Sequence, residues 1–199
     1  MNDKQTKILN FISEILNKYL TADEMFEAIL NGFNEIFSAD LGLVAYISGN
    51  GLEIKQFKTF DNRKYKTNDV NETGLMSRAF IKNKQPLNVS VNKKANSILT
   101  EIGIYPDDEY SFMALPLIIK SALFGIIIVL KNKKGFYSQE DLTGANALAS
   151  VCSYSIKDFE LAEVFQLQLK ALKENIIEKT NAYEIIKTQS EKIKKADRL

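Results

Sequence analysis

Apolar residues spaced three and four positions apart predict two helices at the start of the chain. The first is predicted over residues 1–20, where the apolar stripe comprises Ile8, Phe11, Ile12, Ile15, Leu16 and Tyr19. Thr21 and Glu24 have the spacing of a capping box, in which each side chain bonds to the backbone amide of the other. A second helix is therefore predicted from this box to about Ser38.

The pattern then changes to short apolar runs, which predict two antiparallel hairpins. The first hairpin turns at Gly49–Gly51, and the second, made of the runs SFMALPLII and LFGIIIVLK, turns at residues 120–122. Between them, the polar residues 61–73 predict a loop, GLMSRAFIKN predicts a short helix that ends before Pro86, and PLNVSV predicts an edge strand. Residues 92–110 have no period and are expected to be irregular.

A long helix is predicted from the capping pair Ser138 and Asp141, and beyond residue 144 it contains no glycine or proline. From Phe165 onward its apolar residues repeat every seven positions, which predicts a coiled coil with another subunit. The seam residues are Phe165, Leu169, Leu172, Ile176, Tyr183, Ile186 and Ile193. Lys179 and Ser190 interrupt the seam, and the packing of the helices is expected to change most easily at these polar positions.

Composition and charge narrow the classes of function. The 199 residues carry 26 Lys+Arg against 25 Asp+Glu, and a formal net charge of +1 disfavours nucleic acid and membrane surfaces as partners. One cysteine and no histidine give no basis for a disulfide framework, a Ser-His-Asp or Cys-His centre, His-ligated haem or the common metal sites. No catalytic residue, metal site or His-ligated haem is therefore expected.

The sequence has no pattern typical of a signal peptide or of a membrane span. The N-terminus has no continuous apolar run of the signal-peptide type. The longest apolar stretch, residues 112–130, is interrupted by Pro116, Lys120 and Ser121. We therefore expect a cytoplasmic protein without a membrane span.

Four segments, in this order and spacing, resemble the GAF domain of signalling proteins. They are GLMSRAFIKNKQPLNV at Gly74–Val89, SFMALPLI at Ser111–Ile118, FGIIIVLKNK at Phe124–Lys133 and FYSQEDL at Phe136–Leu142. The resemblance implies an α+β fold, with a central antiparallel sheet, helices on both faces, and first and last helices that pack together and dimerise. The expected domains are an N-terminal helix over 1–20, a GAF-like sensory domain over 21–160 and a coiled-coil signalling helix over 161–199.

The resemblance places a small ligand on the sheet face that is roofed by loops and the short helix. The candidate ligand-binding residues are Phe57, Arg78, Tyr110, Phe112 and Asp108. Arg78 is suited to a ligand carboxylate or phosphate, but an ion pair with the acidic residues 107–109 or a solvated side chain explains it equally. The aromatic side chains are suited to a pocket or to the core.

A second group of residues resembles the sequence signature of cyclic-nucleotide-binding GAF domains, and we call it the cyclic-nucleotide echo. These residues are Asn132, Lys133, Phe136, Glu140 and Asp141. The acidic pair is reversed relative to that signature, so a cyclic nucleotide is not the expected ligand. Other GAF proteins reduce methionine sulfoxide with several cysteines or bind a bilin or haem, whereas Cys152 is alone here and is expected to be buried.

The last six residues, KKADRL, resemble the linker that precedes the phosphorylated histidine helix of bacterial sensor kinases. That histidine is absent, so neither kinase activity nor autophosphorylation is expected of these 199 residues, and no other enzyme activity is expected of them either. The expected function is a cytoplasmic sensory GAF domain that dimerises and passes a small-molecule or partner signal through the coiled coil. The expected output domain is a histidine kinase of two-component signalling. The alternatives are a ligand-free dimerisation or scaffold module and a GAF sensor of a cyclic-di-nucleotide-metabolising enzyme.

Overall fold

The described residues, which are 3–17, 21–67, 69–91, 97–105 and 109–196 of a computed structural model, form five strands and five helices. The strands are β1 (Leu41–Ser48), β2 (Gly51–Thr59), β3 (Leu87–Val91), β4 (Tyr110–Ile119) and β5 (Ala122–Lys131). The helices are α1 (Asp3–Asn17), α2 (Ala22–Phe37), α3 (Leu75–Asn83), α4 (Ile98–Glu101) and α5 (Gln139–Ala196). The α+β class predicted from the sequence is confirmed.

The strands form one antiparallel sheet in the order β2-β1-β5-β4-β3. β1 with β2 and β4 with β5 are the two predicted hairpins, β1 and β5 pair to join them, and β3 is the predicted edge strand beside β4. Side chains alternate across a strand, so the register gives the sheet two faces. Leu43 lies beside Ile128 on the first face, which we call the roofed face, and Val44 lies beside Ile127 on the second.

α2 covers the second face of the sheet. Its capping box between Thr21 and Glu24 is formed as predicted, and it ends at Ser38, which has a left-handed backbone conformation. The Phe26 ring of α2 contacts the Tyr46 ring of β1 edge to face, and the two ring centroids are 5.9 Å apart. The buried residues of α2 are Met25, Phe26, Ile29, Leu30, Gly32, Phe33, Ile36 and Phe37. The apolar stripe read from the sequence is therefore the face that packs on the sheet.

α1 packs against α2 through Phe11 and Gly32. The Phe11 ring meets the Phe33 ring edge to face, with centroids 6.0 Å apart. A Cβ atom added at Gly32 would lie 2.1 Å from a carbon of the Phe11 ring. Glycine at this position therefore allows the two helices to approach closely. Tyr19, the last residue of the predicted stripe of α1, lies outside the described residues.

Replacing Gly32 with alanine is expected to lower the free energy of unfolding by about 1–3 kcal/mol, because Phe11 must leave its position over α2. Gly144 of α5 is the matched control, since a Cβ there meets nothing within 4 Å. Gly144→Ala is expected to raise the free energy of unfolding by about 0.5–1 kcal/mol through helix propensity. Chemical denaturation measures both changes. Equal stabilisation by the two substitutions would show that Phe11 does not pack on Gly32.

The residues of α5 are divided between two compact units of the chain. The first unit ends at Ile156 and the second begins at Lys157. In the first unit, the Ser153 hydroxyl accepts a hydrogen bond of 3.1 Å from the Ile118 amide of β4. The buried residues of α5 there are Leu142, Ala145, Leu148, Ala149, Cys152, Ser153, Ser155 and Ile156. In the second unit α5 is a single helix, and its side chains from 161 to 190 are all exposed. Among the described residues, no helix combines the length and the apolar run that a membrane crossing needs.

Candidate functional site

The roofed face of the sheet carries the three aromatic residues that were predicted from the sequence to contact a ligand. Phe57 is in register with Leu43, and Tyr110 and Phe112 lie on the same face in β4. The Tyr110 and Phe112 rings stack with centroids 6.3 Å apart, and they are only 2% and 1% exposed. Phe57 is half-buried and packs against the same cluster. The structure therefore brings the predicted aromatic residues together, and it buries the two central ones in a core.

α4 and the residues after it supply the layer that covers this face. Residues 92–110 have no apolar period and were expected to be irregular, so α4 corrects that expectation. Ser97 and Thr100 form its capping box, and the Ser97 hydroxyl lies 3.4 Å from the Tyr110 hydroxyl. The aliphatic residues that α4 and its C-terminal extension add to the core are Ile98, Leu99, Ile102 and Ile104. The chain's own side chains thus fill the face on which the resemblance placed a ligand.

Glu101 joins α4 to the start of α3. Its carboxylate accepts hydrogen bonds from the Met76 amide at 2.9 Å, the Ser77 amide at 2.9 Å and the Ser77 hydroxyl at 2.5 Å. The N-cap residue of α3 is Gly74, which has no side chain to cap the helix, and a Cβ there would lie 2.3 Å from the Glu101 carboxyl carbon. A carboxylate is favourable at a helix N-terminus. Glu101 is therefore a cap supplied from another element.

Replacing Glu101 with alanine is expected to lower the free energy of unfolding by about 1–2 kcal/mol, because two amides of α3 lose their partner. The Met76 and Ser77 amides are expected to exchange hydrogen faster, which hydrogen–deuterium exchange measures directly. Glu109→Ala is the matched control, since Glu109 is exposed and its carboxylate lies 3.4 Å from the Lys134 ammonium. If Glu101→Ala were no more destabilising than this control, Glu101 would not be the cap of α3.

Arg78 of α3 is held by neighbours in its own part of the chain. Its Nε donates to the Thr73 carbonyl at 2.8 Å, and its Nη2 donates to the Glu72 carboxylate at 2.6 Å. The alternative partner Glu109 lies instead beside Lys134. Asp108, with Asp107, lies outside the described residues. Thr73 and Glu72 are therefore the polar partners of Arg78, and its predicted role in binding a ligand stays a prediction.

A polar cluster ties the loop after β2 to the end of β5, with Asn132 at its centre. The Asn132 side-chain amide donates to Asp40 at 3.2 Å and to Asp61 at 3.0 Å. The Tyr65 hydroxyl donates to the Asn132 side-chain oxygen at 2.8 Å, and the Lys131 ammonium donates to Asp40 at 2.6 Å. Asn132, the first residue of the cyclic-nucleotide echo, is therefore engaged by the protein's own groups.

The acidic pair of that echo, Glu140 and Asp141, lies at the start of α5, whereas Lys133 and Phe136 lie in the segment between β5 and α5. The Ser138 amide donates to the Asp141 carboxylate at 2.9 Å and the Asp141 amide to the Ser138 hydroxyl at 3.1 Å, which confirms the predicted cap. Lys4 of α1 also donates to Asp141. Burial raises the pKa of Asp141, but the hydrogen bonds from Lys4 and Ser138 outweigh it and lower the pKa below its ordinary value. This carboxylate stabilises the helix start and the contact between α1 and α5.

Cys152 is buried in α5, as its sequence context predicted. Burial raises the pKa of its thiol, and a protonated thiol is a weak nucleophile. Within the part of the chain that the structure describes, no three cysteine or carboxylate side chains are grouped to hold a metal ion.

The predicted coiled-coil residues lie in the second unit, on one helix. Those with described side chains are Phe165, Leu169, Leu172, Ile176, Tyr183 and Ile186, and they are between 41 and 73% exposed. Ile193 lies in the helix, and its side chain is outside the described part. The seam is thus a regular apolar stripe that the single chain leaves uncovered.

Comparison with known proteins gives the fold. No family model matches the sequence, and no curated protein matches it significantly. The GAF domain of the Acinetobacter phosphoenolpyruvate-protein phosphotransferase matches with a TM-score of 0.61 at 12% identity, over 81% of this chain and 97% of that one. The free methionine-R-sulfoxide reductase of Thermoplasma acidophilum matches with 0.56 at 18% identity, over 69% and 94%. The GAF domain/HD domain protein of Geobacter sulfurreducens matches with 0.56 at 9% identity, over 75% and 98%. The chain has the GAF fold.

Proposed function

We propose that this chain is a regulatory GAF module that forms a homodimer and passes its state along α5 to an output domain. The observation that carries the proposal is the uncovered apolar seam of α5, which repeats every seven residues from Phe165 to Ile186. Most helices in proteins are stabilised by the packing of an apolar face rather than by propensity. The second unit therefore needs a partner helix, and a heptad seam is complementary to another copy of itself.

Exposed apolar side chains on the first unit support a dimer as well. Leu9 and Leu16 lie seven residues apart on α1, and Tyr154 lies on α5. Each of the three is more than half exposed, although the neighbouring helical positions Phe11 and Ile15 are buried. Apolar side chains on the outer side of these helices favour a contact with a second subunit.

The proposed mechanism is a change in the packing of the two α5 helices. A signal acts only if the molecule that brings it binds the two arrangements of the dimer with different affinity. Lys179 and Ser190 occupy seam positions, where polar groups reduce the preference for one packing. These two layers are therefore the proposed points at which register or crossing angle changes.

For the output domain, we propose a histidine kinase of two-component signalling in the cytoplasm. The resemblance of residues 194–199 to the kinase linker supports it. The alternative is an enzyme that metabolises cyclic di-nucleotides, and the Geobacter protein pairs a GAF domain with an HD domain in the same way. Catalysis by the chain itself, as in the methionine sulfoxide reductase neighbour, has less support because its one cysteine is buried, and burial raises the pKa of its thiol.

The filled roofed face favours a second candidate function, a dimerisation or scaffold module that binds no small molecule. Tyr110, Phe112 and the aliphatic side chains of α4 occupy the space between sheet and roof. In this case a protein partner, rather than a metabolite, changes the packing of α5. The two candidates share the dimer and differ only in what acts on it.

A thermal-shift screen of the chain separates the two candidates. The panel contains cyclic nucleotides, purines, amino acids, small carboxylates and fatty acids. A small-molecule sensor is expected to melt several degrees higher with a saturating ligand, because a ligand that binds only the folded state raises its stability. A dimer whose melting temperature is unchanged by every compound supports the ligand-free module. A chain that remains monomeric throughout contradicts both.

A further inference from the structure

The two flanks of the α5 seam differ in charge. The heptad assigns Leu169, Ile176 and Tyr183 to positions a, and Phe165, Leu172, Lys179 and Ile186 to positions d. The g flank, which precedes each a position, consists of Leu161, Gln168, Asn175, Ala182 and Gln189. The e flank, which follows each d position, consists of Gln166, Lys173, Thr180 and Lys187. The g flank is uncharged along its whole length, whereas the e flank carries lysines.

The positions next to each flank extend this difference around the helix. Beside the g flank, the c positions are Val164, Ala171, Glu178, Ile185 and Lys192, three of them apolar, and Val164 and Ile185 are more than half exposed. Beside the e flank, the b positions are Glu163, Lys170, Ile177 and Glu184, of which only Ile177 is apolar. The apolar surface of α5 is therefore centred on the g side of the seam, and it is wider than a strict a/d stripe.

We infer that the surface of α5 that binds a second copy is the a/d/g face, with the two helices parallel and rotated toward g. The inference rests on the proposed homodimer and adds its contact surface. In an antiparallel pair each flank faces its own copy, so Lys173 and Lys187 approach the lysines of the partner. In a parallel pair e faces g, and lysine meets uncharged side chains. Parallel helices therefore avoid the repulsion that antiparallel helices create.

The same charges decide whether each helix of the parallel pair is rotated about its own axis toward the g flank or toward the e flank. A twofold interface is self-complementary, so turning both helices toward g brings g side chains close to their own copies. Gln168, Asn175 and Ala182 are neutral and short enough to meet without repulsion. Turning toward e brings Lys173 and Lys187 together instead. Lys179 is the charged residue of the a/d/g face, and since it stands at d it lies beside its own copy in a parallel pair, which leaves one like-charge layer in place of the two that rotation toward e would bring together.

Cysteine cross-linking tests the rotation, because the native Cys152 is buried and gives no background. Asn175→Cys on the g flank and Thr180→Cys on the e flank are matched, since neither removes a charge. The dimer rotated toward g is expected to cross-link at least five times faster through Asn175→Cys, and Ala182→Cys is expected to behave like Asn175→Cys. Equal rates, or a faster rate at Thr180→Cys, would overturn the a/d/g surface.

Seam and charge variants separate this inference from the proposed homodimer. Ile176→Cys is at the seam and is expected to cross-link in any parallel dimer, so failure there contradicts the proposed parallel pair itself. Lysine at Asn175 or Ala182 is expected to weaken dimerisation about threefold to tenfold, as two like charges meet. Lysine at Thr180 is expected to change it less. Equal weakening at the two flanks would leave a dimer but refute its rotation toward g.

Discussion

Replacing Leu169 and Leu172 together with glutamate is expected to separate the dimer into single chains of 22.5 kDa. The two residues are neighbouring a and d positions of the seam, and both are exposed in the single chain. In the proposed dimer the four new carboxylates would meet in adjacent layers, without partners and out of water. Sedimentation equilibrium measures the mass, and the loss of helical circular dichroism measures the melting of α5.

Leu167→Glu is the matched control for the seam variant. Leu167 is also on α5 and is already 68% exposed, but it occupies position f, opposite the seam. Glutamate there remains in water in the proposed dimer, so the mass is expected to stay at two chains. If Leu167→Glu dissociated the dimer as strongly as the double seam variant, the partner would lie on the other side of the helix. If neither variant changed the mass of a dimer, α5 would not be its interface.

Replacing Phe112 with alanine is expected to lower the free energy of unfolding by about 3–5 kcal/mol. Phe112 is 1% exposed and lies in the buried core of the roofed face, stacked on Tyr110. Truncation removes the buried ring and leaves a cavity that close-packed neighbours fill only partly. Benzene, added as a probe, is expected to raise the melting temperature of the variant, since an apolar cavity of this kind takes apolar molecules.

Phe57→Ala provides the comparison on the same face of the sheet. Phe57 is half-buried at the margin of the cluster, so its truncation is expected to cost less than that of Phe112. The unmodified chain is expected to show no response to benzene. A loss below about 1 kcal/mol for Phe112→Ala, or a benzene response of the unmodified chain, would show that the roofed face contains open space. Such a result would favour the small-molecule sensor over the ligand-free module.

Elements with strong local signals could be predicted from the sequence. The boxes at Thr21 and at Ser138 fix the starts of α2 and α5, because each satisfies amides that a helix leaves without partners. The hairpins are set by apolar runs around short turns. α4 could not be predicted by periodicity, since a helix of one turn has no repeat. Its only signal is Ser97 three residues before Thr100, followed by apolar residues.

The candidate site was predictable only in part. Tyr110 and Phe112 share a face because strand side chains alternate, and the sequence shows this spacing. Whether that face is open or filled depends on α4, which reaches it through contacts distant in sequence. The capping of α3 by Glu101 is equally non-local, with the partners 24 and 25 residues apart. No local sequence pattern predicts the placement of α4 over this face or the capping of α3 by Glu101.

The mass of the unmodified chain in solution, measured by light scattering over a range of concentrations, shows directly whether α5 makes this GAF module a dimer, as we propose. The expected result is a mass of twice 22.5 kDa at micromolar concentration and above. A mass of 22.5 kDa at every concentration, with α5 still helical by circular dichroism, would contradict it.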